Sequence, residues 1–270
     1  MKTILIATDF SPASSNALLY GVQLAELLDG QVILFHAYSI PPAIPALSIS
    51  ISRIGVMLEV KQRLDDYAKL ILKEKASSVE KVCEVGDAKE AIINMALEKK
   101  ADLIITGMKG AGKTIKQIFG STVTSLTSGT TVPVLIIPEA TTYNLADVIV
   151  FAYEGAENPL REELEKFKVI KEAFHAKVYV VTVVKKDNDE HLLFSENAAD
   201  EQYLNISFEY PVDADISHGL DAFIKKHNGK MLVMMPHKHS WTKRLFRKSE
   251  TQDMIFHTHI PLLILPDTYI

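Results

Sequence analysis

The sequence predicts an α/β protein built as two tandem, doubly wound, parallel five-stranded sheets, the second copy abbreviated. Three observations carry this. Short β-branched apolar runs alternate with longer stretches of helical period, beginning with Thr3-Ile-Leu-Ile-Ala and Gln31-Val-Ile-Leu-Phe. The strand-like runs are apolar on both faces, as parallel strands covered by helices on either side require. The chain also repeats itself. Asp102 to Pro138 aligns without a gap to Lys230 to Pro266, so VPVLIIP matches IPLLILP. Thr3-Ile-Leu-Ile-Ala matches Asp147-Val-Ile-Val-Phe, and Gly30-Gln-Val-Ile-Leu-Phe matches Ala176-Lys-Val-Tyr-Val-Val. Two domains follow, 1–140 and 145–270, joined near Glu139 to Leu145.

The first copy opens with the strand TILIAT. Ser11 or Ser14 caps the helix that follows, Pro12 is tolerated in its first turn, and Ala17, Leu18, Val22, Ala25 and Leu28 form its apolar stripe. Asp29-Gly30 ends it. QVILFHAY is the second strand, and PPAIPALSISIS reads as a long loop before the helix VMLEVKQRLDDYAKLILKEKA. VEKVCEV is the third strand and AKEAIINMALEKKA the third helix. The fourth strand ends at Gly107, and the fifth is VPVLIIP. Alternating β and α units imply right-handed crossovers with helices on both faces.

The second copy keeps DVIVFAY, a helix across PLREELEKFKVIKEAFH, and KVYVVTVV. Between Lys185 and Tyr203 the chain is polar and acidic, leaving room for a short helix over ENAADEQYL. ISFEYPV reads as a strand, SHGLDAFIKKH as a helix, and KMLVMM, TQDMIFHTH and PLLILP complete the unit.

Of the 270 residues 47% are hydrophobic, ample for two cores. A formal charge of -5 gives no electrostatic footprint for nucleic acid, because the basic patches are short. Asp9 interrupts the N-terminal apolar run before a signal-peptide core or membrane span is complete, so the expectation is a soluble cytoplasmic protein without a membrane partner. The single cysteine, Cys83, has no partner for an internal disulfide and is expected to be a small buried strand residue.

The segment ADLIITGMKGAGKTIKQIFGSTVTSLTSGTTVPVLIIP, from Ala101 to Pro138, carries the chemistry. Strand, glycine- and lysine-rich loop, helix start and strand succeed one another. Glycines let the main chain approach a ligand closely, and unpaired amides at a helix start point toward negative charge, so phosphate is the natural guest. Two registers fit. Gly107, Gly110 and Gly120-Ser121 spell G-x2-G-x9-G-S, whereas Gly107, Gly112, Lys113 and Thr114 spell G-x4-G-K-T, the Walker A pattern of P-loop nucleotidases. The second register ordinarily needs a carboxylate ending a later strand, and only Glu139, behind Pro138, stands there. It also puts Gly120 within two turns of Thr114, at a cost of about 1 kcal/mol in a helix interior.

The first register resembles the nucleotide-binding members of the universal stress protein family, and T-D-F-S-P-A-S after the first strand looks like that family's opening aspartate-x-serine signature. The resemblance covers essentially the whole chain, with the motifs intact only in the first copy. It implies an adenine nucleotide alpha hydrolase-like fold with strand order 3-2-1-4-5 and a crevice between strands one and four. It further implies that ATP binds with Mg2+ bridging phosphate oxygens. Asp9 would accept from the adenine amino group, the main chain at Ala37, after strand two, would fix the base edge, and Gly107 would pass close to the ribose. Gly110, Gly120, Ser121 and Thr122 would surround the phosphates, and Lys109 and Lys113 would neutralise further charge. Each has a plainer counterpart: Asp9 as a helix cap, the glycines as turn residues, the lysines solvated.

In the second copy Tyr153 is expected in place of Asp9, Met235 of Gly107, Lys238 of Gly110 and Lys248 of Gly120, with Ser249 retained. Bulk then stands where backbone had to approach ligand, so this copy is expected to be degenerate. His237, His239, His257 and His259 offer two i, i+2 pairs of imidazoles that share a face only on a strand or extended loop, so metal is not favoured, and Lys243, Arg244, Arg247 and Lys248 read as a solvated basic loop. No general base or triad accompanies the phosphate loop, so binding is favoured over catalysis. A P-loop ATPase or phosphotransferase using Gly112, Lys113 and Thr114, and a nucleotide-free interaction scaffold, are the alternatives. Val132–Pro138 and Ile260–Pro266 are open-edge strands through which, the resemblance implies, the copies pair as an intramolecular pseudo-dimer; a homodimer is a further possibility.

Overall fold

The computed structural model describes residues 2–40, 49–108, 126, 129–153, 168, 170–184, 206–235 and 259–266. The chain forms two compact units that divide between Tyr143 and Asn144.

The first unit runs β1 (Thr3–Ala7), α1 (Pro12–Leu27), β2 (Gln31–Tyr38), α2 (Ile49–Leu72), a 3-10 turn (Lys73–Ser78), β3 (Val79–Val85), α3 (Ala88–Glu98), β4 (Leu103–Met108) and β5 (Val134–Pro138). All strand pairs are parallel, in the order β3-β2-β1-β4-β5. This is the order expected for a doubly wound sheet whose direction of winding reverses between β1 and β4. Ile4, Leu5, Ile6, Leu34, Phe35, Ile104 and Ile105 are buried, so apolar residues follow one another along each central strand. The second unit runs β6 (Val148–Ala152), β7 (Lys177–Val181), β8 (Ile206–Glu209), α4 (Ile216–His227), β9 (Met231–Met234) and β10 (Leu262–Ile264). Its described strands lie β10-β9-β6-β7-β8, the same winding.

The helix ends follow local chemistry. Ser11 caps α1, its hydroxyl accepting from the Ser14 amide at 3.2 Å, with Pro12 in the first position. Asp87 caps α3 by accepting from the Lys89 and Glu90 amides, and Asp215 caps α4 through the His218 amide at 2.8 Å. Asn228, at φ 53°, closes α4 in the left-handed conformation that asparagine tolerates. Helix α2 starts at Ile49, earlier than expected, because nothing between Ser48 and Val56 stops a helix except Gly55, whose cost is about 1 kcal/mol. Cys83 is only half-buried, since β3 is the edge strand of its unit.

The strand registers correct one expectation. In the first unit Thr3 pairs with Gln31, and in the second Val148 pairs with Lys177. The Thr8 amide donates to the Phe35 carbonyl at 2.9 Å, as the Tyr153 amide does to Val181 at 3.0 Å. Tyr153 therefore stands in the place of Thr8 and not of Asp9, and the next residue in the sequence, Glu154, lies outside the described residues. Matching two strands apolar on both faces leaves no alternation to fix the register, and a slip of one residue passes unnoticed. The other match holds: Ile104 pairs with Val134 as Leu232 pairs with Leu262, so Met235 does replace Gly107.

Candidate functional site

A sheet wound in this way is expected to take a ligand beyond the carboxyl ends of β1 and β4, and the chain leaves β1 through a tightly bonded turn. The Thr8 hydroxyl accepts from the Phe10 amide and the Asp9 carboxylate from the Ser11 amide, both at 3.0 Å. Between these two bonds Phe10 takes φ 63°, a left-handed conformation uncommon for an aromatic residue. The Thr8 and Ser14 hydroxyls share a hydrogen bond at 3.0 Å, and Ser15 shares one at 2.9 Å with the Tyr67 hydroxyl from α2. Polar groups that would be stranded at the end of a buried strand are thereby satisfied by the first turn of α1.

Asp9 itself is exposed. Partial desolvation pushes its carboxyl upward, but bonds from the Ser11 hydroxyl and amide and from Ser14 outweigh this, and its pKa lies below the ordinary 3.8. At neutral pH it is a carboxylate, an acceptor without a proton to give. The helix cap is Ser11, so Asp9 orders the turn rather than capping α1.

Ala37 lies within β2, not after it, paired with Glu84 of β3. Main-chain groups alternate between the two edges of a strand. The Phe35 carbonyl faces β1, where it accepts from Thr8, so the peptide groups of Ala37, two residues on, face the same side past the end of β1.

β4 runs one residue past the expected end, to Met108, and Gly107, its penultimate residue, is a glycine for a reason that needs no ligand. A Cβ there would collide with the main-chain carbonyl of Ala13 and lie 2.7 Å from the Ser14 nitrogen. The first turn of α1 thus sits directly on the end of β4, and glycine is what lets it. Lys109, Gly110, Gly112, Lys113, Thr114, Gly120, Ser121 and Thr122 fall outside the described residues, as do His237, His239 and His257.

Three residues without a role in the sequence reading border the turn. The His36 ring lies 4.3 Å from that of Phe10, and its Nδ1 donates to the Thr8 carbonyl at 2.8 Å. Tyr67 meets Phe10 edge-on at 5.1 Å, and the Arg63 guanidinium stands 4.3 Å over the Phe10 ring. His36 was visible as the one polar interruption inside QVILFHAY; Arg63 and Tyr67 gave no signal, because α2 reads as an ordinary amphipathic helix. Among the described residues no group of three His, Cys, Asp or Glu is placed to hold a metal ion, and no helix is long and apolar enough to cross a membrane.

A doubly wound parallel sheet with a polar turn at its winding reversal defines the class, an α/β fold. A model of the universal stress protein family matches residues 1–138, and the chain belongs to that family. The universal stress protein Slr1230 of Synechocystis is 22% identical over 97% of this chain and 99% of its own length. The stress response protein NhaX of Bacillus subtilis is 26% identical over 50% of this chain and 96% of its own. Among solved structures, a universal stress protein from Archaeoglobus fulgidus has the same fold, with TM-score 0.72, 18% identity and 98% of each chain covered.

Proposed function

We propose that the first unit binds ATP with Mg2+ in the crevice beyond β1 and β4, and that the chain acts as a nucleotide-dependent stress-response module. The observation that carries this is Asp9 together with the turn that orders it: an ionised carboxylate held at the winding reversal, able to accept from the exocyclic amine of adenine. The main chain at Ala37 borders the same space. Gly110, Gly120, Ser121 and Thr122, with Lys109 and Lys113, supply the amides, hydroxyls and charge for a triphosphate. No described cluster of side chains suits a metal, so the cation would enter on the phosphates. The second unit, with Met235, Lys238 and Lys248 at the glycine positions, would not hold a nucleotide in this manner, and the two units would pair through Val132–Pro138 and Ile260–Pro266.

Mass spectrometry of small molecules released on denaturation, followed by calorimetric titration with magnesium-ATP, tests the reading. Adenine nucleotide binding that Asp9→Asn weakens supports it. Absence of binding by the intact chain leaves the interaction scaffold. An ATPase abolished by Lys113→Ala but indifferent to Gly120→Val would make it a P-loop enzyme.

A further inference from the structure

We infer that the connector after β5, from Glu139 to Tyr143, is a strap docked on α1 by Asn16, and that its docking is coupled to occupancy of the nucleotide site through the first turn of that helix. This rests on the proposed nucleotide site and goes beyond it by naming the segment that passes occupancy on to the rest of the chain.

β5 hands over to the connector through a bonded turn. The Glu139 amide donates to the Met108 carbonyl at 2.9 Å, and the Thr141 amide to the Pro138 carbonyl at 3.0 Å. Asn16 then spends its whole side-chain donor group on this turn, Nδ2 donating to the Pro138 carbonyl at 2.8 Å and to the Thr141 carbonyl at 2.7 Å. Thr141 is buried, and two residues on the Tyr143 ring meets that of Tyr20 edge-on at 4.8 Å. Tyr20 works against the docking. Its hydroxyl is buried with no hydrogen-bond partner among the described residues, and burial together with the neighbouring Tyr143 phenol pushes its pKa well up. Tyr143 is part of the cover, so lifting the connector returns that hydroxyl to water. Two net hydrogen bonds and a ring contact are thus set against one stranded hydroxyl, effects of the same order, and a balance of this kind is one that a ligand can tip.

The first turn of α1 serves the site and the strap at once. The Ser11 amide donates to the Asp9 carboxylate at 3.0 Å, the Ser15 amide donates to the Ser11 carbonyl at 2.9 Å, and the next residue is Asn16. On its sheet side the same turn lies against Gly107, where not even a methyl group fits. A close-packed turn passes a displacement on rather than absorbing it. The Asn16 bonds, at 2.8 and 2.7 Å, reach the end of the ordinary N–H···O range after a shift of about 0.4–0.5 Å. A nucleotide that engages the Asp9 turn as it stands therefore favours the position from which Asn16 reaches both carbonyls. By linkage the docked strap favours the nucleotide by the same factor.

Two variants of the full chain move the strap in opposite directions. Asn16→Leu keeps the size of the side chain and removes both donors; Tyr20→Phe keeps the ring and removes the stranded hydroxyl. Hydrogen exchange of the Glu139 and Thr141 amides is followed with and without magnesium-ATP, affinity is measured by calorimetry, and exchange in α3 checks folding. In the wild type magnesium-ATP is expected to slow exchange at both amides about 5- to 10-fold, the value of one net hydrogen bond. Asn16→Leu is expected to speed that exchange without nucleotide and to bind magnesium-ATP about 5- to 10-fold more weakly, with α3 unchanged. Tyr20→Phe is expected to slow the exchange and to bind no more weakly than the wild type. A purely structural role for Asn16 would loosen the connector and leave the affinity alone, and that result overturns the inference with nucleotide binding intact. So does exchange at Glu139 and Thr141 that ignores bound nucleotide, or a connector that Tyr20→Phe loosens. A wild type that does not bind magnesium-ATP overturns the proposed function itself, and this inference with it.

Discussion

Gly107 offers the sharpest separation between what the fold needs and what a ligand would need. In Gly107→Ala the new methyl meets backbone, not the yielding end of a side chain. It would collide with the Ala13 carbonyl and lie 2.7 Å from the Ser14 nitrogen, where ordinary contact begins at 3.4 Å. The first turn of α1 must retreat by roughly 0.7 Å from this contact alone, and further from the Ala13 carbonyl. Overpacking of this kind costs about 1–3 kcal/mol. The retreat also strains the shared Thr8–Ser14 hydrogen bond, worth about 1 kcal/mol net. A loss of about 2–4 kcal/mol is expected for the first unit. Hydrogen exchange is the suitable assay, since it reads the amides of α1 and β4 separately from the second unit, whereas a single global midpoint for a chain of two units does not. If Gly107→Ala kept wild-type protection in α1 yet lost nucleotide binding, the glycine would be there for a ligand and the packing argument would be refuted.

Three further outcomes are expected. Gly55 lies in the interior of α2, and a Cβ there meets nothing within 4 Å, so Gly55→Ala should stabilise by about 0.5–1 kcal/mol in thermal or denaturant unfolding. Ser11→Ala removes the cap of α1 and one of the bonds that hold the Asp9 carboxyl down; it should cost about 1 kcal/mol and move the Asp9 titration upward by NMR. His218 donates from Nδ1 to Asp213 at 2.8 Å, a bond that, with the attraction of that carboxylate, raises its pKa above 6.5. Its stabilisation is therefore complete below pH 6.5 and disappears as pH rises through the folded-state value. An NMR titration should show a raised midpoint that Asp213→Asn returns to normal.

The architecture was legible because it rests on composition that sterics cannot disguise: two-sided apolar runs must be buried in a parallel sheet, and the spacing of the repeat implied a second one. What such runs do not encode is register. The same double burial that identified Val148–Ala152 as a strand removed the alternation needed to align it, and the acid at position 154 went unnoticed. Around the turn, Asp9 and Gly107 were legible as an acid and a glycine close to strand ends, but the reason for the glycine was not. Close approach of a helix and close approach of a phosphate both demand the absence of a Cβ, and only coordinates tell them apart. The contributions of Tyr67 and Arg63 were invisible because they depend on α2 lying beside Phe10, a tertiary fact that helical periodicity does not carry.

Having the same strand order in both units sorts these features further. The pin on the end of the central strand is present in both units, by His36 on Thr8 and by Thr182 on Tyr153, so it answers to the sheet. An acid follows that strand in both, Asp9 and Glu154, so an acid at this place does not by itself mark a nucleotide site. Met235, in the position of Gly107, is buried and brings a side chain where the first unit has room for none. The two units therefore differ at the end of the fourth strand, not in the strand ladder. Any ligand chemistry confined to the first unit has to draw on that difference and on Gly110 and Gly120, whose counterparts are lysines. The acid alone, which both copies possess, is insufficient.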